Sequence, residues 1–324
     1  MKIRFGVMGC ANIARRYVIN AIKSSPNCEM VVIASRTREK AEEFGVMFQC
    51  DAVLGYEELL KREDIEAIYM PLPTGIHEEW MLKTIAAGKH ILIEKSFAPN
   101  FQSAHRIASA AMQAELVIME NFMFEYHSQQ IKIRNIIESG ELGEIRVFKS
   151  SFGFPPLPEN NFRYNKELGG GSLLDCGSYP LKACQLFFGP NVNVAHAFLH
   201  YEKALDVDIF GSVMLMLNHN NKKIPAEISF GMDNYYQCNY EFWCSKGKLV
   251  ATRVYTAAPD FMPHIIIEKQ NETHEYTLAS DNHFVNILNR FVNQIQNGNY
   301  KTEIIKMLNQ AKLIDDVRKS AIKI

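Results

Sequence analysis

The N-terminal stretch limits this chain more than any other part of it. Lys2-Ile3-Arg4-Phe5-Gly6-Val7-Met8 comes first, and Gly9-Cys10-Ala11-Asn12-Ile13-Ala14 follows at once. The run reads as a buried strand and the six residues as a tight turn opening a helix. This is the strand–turn–helix of a dinucleotide-binding unit, with G-x-A-x-x-A in place of G-x-G-x-x-G. The first glycine permits the turn. The second position must be small so that backbone can approach a pyrophosphate, and the third so that the helix can pack on the strand. The helix N-terminus then offers N–H groups and a partial positive charge to phosphates. Gly9, Cys10, Ala11, Asn12 and Ile13 are therefore candidate cofactor contacts.

The alternation that follows supports a doubly wound parallel sheet. Residues 29–34, 67–70, 90–93 and 116–119 are apolar runs of the buried parallel type, separated by helical stretches at 15–23, 39–44, 56–62, 78–87 and 101–115. Gly45 reads as the stop of the second of these helices. After the second strand comes Ser35-Arg36-Thr37-Arg38, with no acidic residue to hold a ribose 2′-OH. Ser35 can donate a hydrogen bond, and Arg36 and Arg38 can pair with a 2′-phosphate, which favours NADP(H) over NAD(H). The bland alternative is a solvated basic helix start. The loop Pro71-Leu72-Pro73-Thr74-Gly75-Ile76-His77 follows the next strand and should face the cofactor, with Leu72, Pro73 and His77 as candidate contacts. A lone histidine there is more often a structural cap. Glu94-Lys95-Ser96 closes another strand, with Glu94 and Lys95 as candidate cofactor contacts, and an ammonium beside a dinucleotide there can polarise a carbonyl. The alternative is an ion pair between Glu94 and Lys95.

The pattern changes near residue 121, which divides the chain into expected domains 1–121 and 122–324. After a helix at 129–139, β-type runs dominate at 145–153, 192–200, 209–217, 226–231, 236–243, 248–254 and 264–269. They predict a largely antiparallel sheet. Val213, Leu215 and Leu217 alternate only weakly with Ser212, Met214 and Met216, which predicts burial on both sides mid-strand. Helices at 282–297 and 302–323 close the chain.

Composition removes several classes. A formal net charge of -1 argues against nucleic acid or a membrane held by bulk electrostatics. No apolar run reaches the roughly 18 residues of a membrane span, and there is no signal-peptide pattern. Seven scattered cysteines show no metal-ligand spacing, so no metal is expected, and they read as reduced thiols of a cytoplasmic protein.

A second cluster of chemistry runs from Asn160 to Pro180. Gly169-Gly170-Gly171 allows a sharp entry to a helix starting near Ser172. Asp175 and Tyr179 are four residues apart and fall on one helix face, with Lys182 three further on. Pro180 predicts a kink or a delayed helix start. A carboxylate, a phenol and an amine on one face suit proton transfer. A packed tyrosine and a capping aspartate are the plain alternative.

In order along the chain, Gly9-Cys10-Ala11-Asn12-Ile13-Ala14, the Pro73–His77 loop, Glu94-Lys95, Gly140-Glu141-Leu142-Gly143 and Gly169 to Tyr179 resemble the glucose–fructose oxidoreductase / inositol dehydrogenase / rhizopine catabolism (Gfo/Idh/MocA) family. The resemblance spans essentially the whole chain. It implies an α/β architecture: an N-terminal Rossmann sheet plus a C-terminal α+β domain whose open sheet often makes subunit contacts, hence a homodimer or homotetramer. It implies NAD(P)-dependent oxidoreduction of sugars or polyols. Lys95 matches the lysine of the family's Glu-Lys-Pro motif, with Ser96 in place of proline. Tyr179 matches a position that is histidine in one branch and tyrosine in others, and Asp175 a substrate-side acid. Asn161-Phe162-Arg163-Tyr164 is similar to nucleotide-sugar 3-ketoreductases and to xylose and dihydrodiol dehydrogenases.

The expectation is an NADP(H)-dependent reductase of a keto sugar, with a nucleotide-linked 3-keto-deoxyhexose first and a free aldose or dihydrodiol second. Tyr179 would be the proton donor and Lys95 would stabilise the alkoxide. Arg163, Asp175 and Lys182 would be substrate contacts, Arg163 and Lys182 facing a diphosphate. A non-catalytic NADP-binding regulator is the rival from another class.

Overall fold

The computed structural model describes residues 2–324. The described residues up to Phe122, together with Phe284–Leu308, form one compact unit, and Met123–His283 with Asn309–Ile324 form a second.

In the first unit, β1 (Ile3–Met8), β2 (Cys28–Ser35), β3 (Asp51–Leu54), β4 (Ala67–Met70), β5 (His90–Ile93) and β6 (Ile118–Glu120) make a parallel sheet in the order β3-β2-β1-β4-β5-β6. The crossovers carry α1 (Ile19–Ser24), α2 (Arg38–Phe48), α3 (Tyr56–Leu60), α4 (His77–Ala86) and α5 (Phe101–Gln113). Strand order reverses between β1 and β4, so the crevice for a ligand lies beyond their carboxyl ends. Helices cover both faces, which is why β4 and β5 are apolar at nearly every position and buried. The sequence reading missed β3, a mostly exposed edge strand with little apolar signal. It also ended α2 too early. Gly45 lies inside that helix, where an added Cβ would stand 3.0 Å from the Cβ of Ala52 and 3.1 Å from the Cys50 carbonyl. Close packing on β3 explains this glycine better than a helix stop does. Phe291 of the returning segment lies 5.9 Å from Phe5 of β1, ring to ring, and Phe284 stacks on Tyr17 at 4.8 Å.

The second unit begins with α6 (Ser128–Glu138) and β7 (Ile145–Gly153), then α7 (Ser178–Phe188). There follow β8 (Asn193–Glu202), β9 (Val207–His219), β10 (Lys222–Gly231), β11 (Gln237–Cys244), β12 (Gly247–Thr252), β13 (His264–Lys269) and β14 (Glu272–Thr277). After α8 (His283–Gln296) and α9 (Lys301–Ser320), β15 (Ala321–Lys323) completes a nine-stranded sheet in the order β14-β13-β12-β11-β7-β10-β9-β8-β15. Only β7 with β10 and β8 with β15 pair in parallel; the other neighbours are antiparallel.

On one face of this sheet Phe148, Tyr240 and Phe242 meet Phe187 and Phe188 of α7, with ring centroids 5.1–6.3 Å apart. The opposite face is open. Val213, Leu215 and Leu217 are buried whereas Met214 is 47% exposed, so β9 is not covered on both sides as its weak alternation suggested. Methionine on an open face had blurred the pattern. The final helix also ends sooner than expected, because 321–323 leave it to pair with β8. Among the described residues, no helix is long and apolar enough to cross a membrane, and no group of three or more His, Cys, Asp or Glu side chains could hold a metal.

Candidate active site

In the first unit the turn after β1 is held to β2 by the Gly9 N–H, which donates to the Ala34 carbonyl at 2.9 Å. Gly9 has φ +116°, and an added Cβ would stand 3.1 Å from Leu72 Cδ2. The positive φ demands glycine, and the Leu72 approach places the Pro71–Pro73 loop against the turn. Cys10, Ala11, Asn12 and Ile13 lead directly into a π turn at Ala14–Val18 that runs on into α1. This small-residue cradle at a helix start fits a dinucleotide pyrophosphate.

Ser35 ends β2 and is buried. Its Oγ accepts from the Thr37 N–H at 3.3 Å. Arg36 is exposed beside the Tyr56 hydroxyl. Burial pushes the Tyr56 phenol up, and Arg36 opposes that shift. Arg38, one step into α2, is exposed and lies 3.8 Å from Glu42. Of the three, Arg36 is the side chain best placed to meet a 2′-phosphate, since Ser35 is engaged within the turn.

His77 corrects an expectation. Its ring is wholly buried, with Nε2 2.7 Å from the Leu72 carbonyl oxygen and Nδ1 3.1 and 3.2 Å from those of Ser96 and Phe97. Burial pushes its pKa down to about 4, against the three carbonyls. The imidazole has no nitrogen left for a cofactor and serves the backbone instead. Glu94 follows β5, and its Oε1 accepts from the Tyr69 hydroxyl at 2.7 Å and the Asn121 amide at 2.6 Å. It thereby ties the ends of β4, β5 and β6, while burial pushes its carboxyl up against those bonds and the adjacent Lys95. Lys95 is half-buried at the end of β5, and the Lys95–Ser96 peptide is cis.

In the second unit the triple glycine folds back on the loop before it. The Gly171 N–H donates to the Arg163 carbonyl at 3.0 Å and the Gly170 N–H to that of Asn165 at 2.9 Å. Helical backbone then starts as a π turn at Leu173–Gly177, and α7 proper begins at Ser178. The start is not delayed as Pro180 suggested: helical backbone runs from Ser172 through the π turn into α7, and the wider π turn lies directly before the proline. A buried carboxylate the sequence reading missed anchors the start. Asp208 Oδ2 accepts from the Ser172 hydroxyl at 2.7 Å and the Leu173 N–H at 2.6 Å, and burial pushes its pKa up.

Tyr179 is buried among Phe124, Phe152 and Tyr255, with ring centroids 5.8, 5.0 and 5.3 Å away. Arg163 Nε donates to Asp175 Oδ2 at 2.6 Å, and its charge also acts on Tyr179. Arg163, Asp175 and Tyr179 thus form one group. Lys182 does not join it as a cation awaiting a diphosphate. It is 5% exposed, and its Nζ lies 3.4 Å from Glu125 Oε1, itself largely buried. Helical spacing placed Lys182 near Tyr179 but gave no sign of that carboxylate, which lies far off in sequence.

Two family models cover most of the chain. The oxidoreductase family, NAD-binding Rossmann fold, matches residues 3–122, and the GFO/IDH/MocA C-terminal domain matches residues 131–250. The chain belongs to the GFO/IDH/MocA oxidoreductase family. It is 37% identical over 320 residues to dTDP-3,4-didehydro-2,6-dideoxy-alpha-D-glucose 3-reductase from Actinomadura kijaniata, covering 98% of this chain and 96% of that one. The enzyme of the same name from Saccharopolyspora spinosa is 37% identical over 296 residues, covering 91% and 88%. Among solved structures, the A. kijaniata 3-ketoreductase KijD10 in complex with NADP and TDP-benzene superposes with a TM-score of 0.96 at 37% identity, covering 100% of this chain and 99% of that chain. As a GFO/IDH/MocA oxidoreductase the chain is an enzyme with a Rossmann unit and a mixed, mostly antiparallel second sheet.

Proposed function

We propose that this protein is an NADP(H)-dependent reductase of a dTDP-linked 3-keto sugar. The observation that carries the reading is near-complete alignment, at 37% identity, with enzymes named for that reaction, one of them solved with NADP and a TDP ligand. The residues of the first unit fit the cofactor: the turn at Gly9 takes the pyrophosphate, and Arg36 takes the 2′-phosphate.

NADPH, when bound, supplies the hydride that reduces the keto carbon. Lys95 directs its ammonium at the keto oxygen, where it polarises the carbonyl and stabilises negative charge as that charge develops. Tyr179 gives its phenolic proton to the same oxygen, so the C=O becomes CH–OH and the phenol becomes phenolate. The Arg163 guanidinium, acting on Tyr179, favours that phenolate. Asp175 holds Arg163 in place and keeps the local charge balanced. The second unit also offers a surface for a second copy of this chain: Met214 and Trp243, 47% and 53% exposed, stand on the open face of its sheet.

The test is NADPH oxidation with dTDP-3,4-didehydro-2,6-dideoxy-α-D-glucose as substrate. Tyr179→Phe removes one hydroxyl from a ring that aromatic neighbours hold in place, so folding is kept and turnover falls by about 10²–10⁴-fold. Turnover within threefold of wild type would remove Tyr179 as the proton donor. No NADPH oxidation by the wild-type protein, with activity on a free pentose, would overturn the substrate class.

A further inference from the structure

Lys95 owes its aim to the backbone on either side of it, and the backbone after it is fixed by one buried imidazole. His77 is the first residue of α4 and is wholly buried. One ring nitrogen faces the Leu72 carbonyl in the loop after β4, and the other faces the carbonyls of Ser96 and Phe97, the two residues after Lys95. The Phe97 N–H is taken as well, by Glu120 Oε1 at 2.9 Å from the end of β6. Ser96 and Phe97 are themselves buried. The segment after Lys95 is thus tied to β6 through the Phe97 N–H, while the neutral His77 ring, which has one N–H to donate, packs against the carbonyls of both loops. The same imidazole anchors Leu72, whose side chain lies against the Gly9 turn. Direct acid–base work by His77 is ruled out by geometry: the ring has no exposed nitrogen, and backbone carbonyls face both.

We propose that His77 is a positioning residue for Lys95: its buried ring fills the space between the loop after β4 and the loop after β5 and gives its one N–H to a carbonyl there, so that the ammonium stands in one place relative to the cofactor turn. The proposal rests on the reading that Lys95 acts on the keto oxygen. Displacement of a catalytic group by about an ångström can cost on the order of 10²-fold in rate, so the effect should appear in kcat.

The experiment is a double-mutant cycle with His77→Leu and Lys95→Ala, using NADPH and dTDP-3,4-didehydro-2,6-dideoxy-α-D-glucose. His77→Leu should lower kcat by about tenfold or more, and the primary deuterium isotope effect on kcat, read with C4-deuterated NADPH, should rise as hydride transfer becomes limiting. With Lys95 already gone, His77→Leu should change kcat by less than about twofold, the non-additivity of residues acting as one unit. His77→Gln, whose amide NH₂ can donate to the same carbonyls, should recover most of the loss. Should His77→Leu fail to fold, His77→Asn carries the same cycle. Multiplicative losses in the double variant, or wild-type kcat in His77→Leu, would overturn the proposal while leaving the assignment of Lys95 standing. Wild-type turnover in Lys95→Ala alone would overturn that assignment and this proposal with it.

Discussion

Replacing Gly171 with alanine tests how the helix that carries Asp175 and Tyr179 is held. The backbone at Gly171 has φ +112°, beyond the left-handed region that L residues tolerate, and an added Cβ would stand 2.5 Å from Asp208 Oδ1. The backbone strain alone is worth about 1–3 kcal/mol. The contact adds to it, because Asp208 cannot retreat without loosening its bonds to the Ser172 hydroxyl and the Leu173 N–H. A hydrogen bond to a charged group contributes about 1.5–3 kcal/mol, so losing one of the two brings the total to about 2.5–6 kcal/mol. For a unit of this size each kcal/mol moves the melting temperature by roughly 2–4 °C, and a fall of about 5 °C or more is expected. Calorimetry gives the melting temperature, and hydrogen exchange over residues 172–188 gives the local opening. Exchange should quicken there and stay unchanged in the parallel sheet of the first unit. Gly171→Ala that melts within about 2 °C of wild type, with unchanged exchange at 172–188, would refute the reasoning.

Further outcomes follow from other contacts. Lys182→Met leaves Glu125 without its ammonium in a buried place, and the protein should lose about 3–5 kcal/mol of stability while binding TDP with unchanged affinity; a loss of TDP affinity at unchanged stability would return Lys182 to the substrate. Arg36→Asp should weaken NADPH by about 30-fold or more and NADH by less than about threefold in fluorescence titrations, since only the former carries a 2′-phosphate for Arg36. Burial pushes His283 down to about 3, helped by the adjacent His127 and opposed by Asp281, and pushes His77 down to about 4, both from an ordinary 6.5. Between those values the unfolded chain binds more protons than the folded one. Stability is therefore full above about pH 6.5 and is lost as pH falls toward about 4 for His77 and about 3 for His283. Melting curves across that range should show the loss, and His283→Gln should make it shallower.

Much of the first unit was legible because its signals are local. A parallel strand covered on both faces is apolar at every position, and the turn at Gly9 needs small residues within a few positions of one another. The placement of Asp175 and Tyr179 on one helix was legible for the same reason: they lie one helical turn apart. What could not be read depends on partners far away in sequence. His77 meets carbonyls 19 and 20 residues on, Lys182 meets Glu125, and Asp208 holds a helix start 35 residues before it. The open face of β9 was hidden because methionine serves equally well on a covered or an uncovered surface.

The return of the chain to its first unit has a consequence for synthesis. The rings of Phe284 and Phe291, which cover Tyr17 and Phe5, belong to a segment that resumes only at residue 284. From residue 122 to 284 is roughly 160 residues, which at about 5–20 residues per second leaves the nascent nucleotide-binding sheet without that cover for roughly 10–30 s. During this interval Phe5 is an apolar surface on a ribosome-bound chain, open to chaperones and to wrong partners alike. A fragment cut at residue 122 would keep that exposure permanently, so the nucleotide-binding half of this enzyme is not a module that can be lifted out by its N-terminal sequence alone.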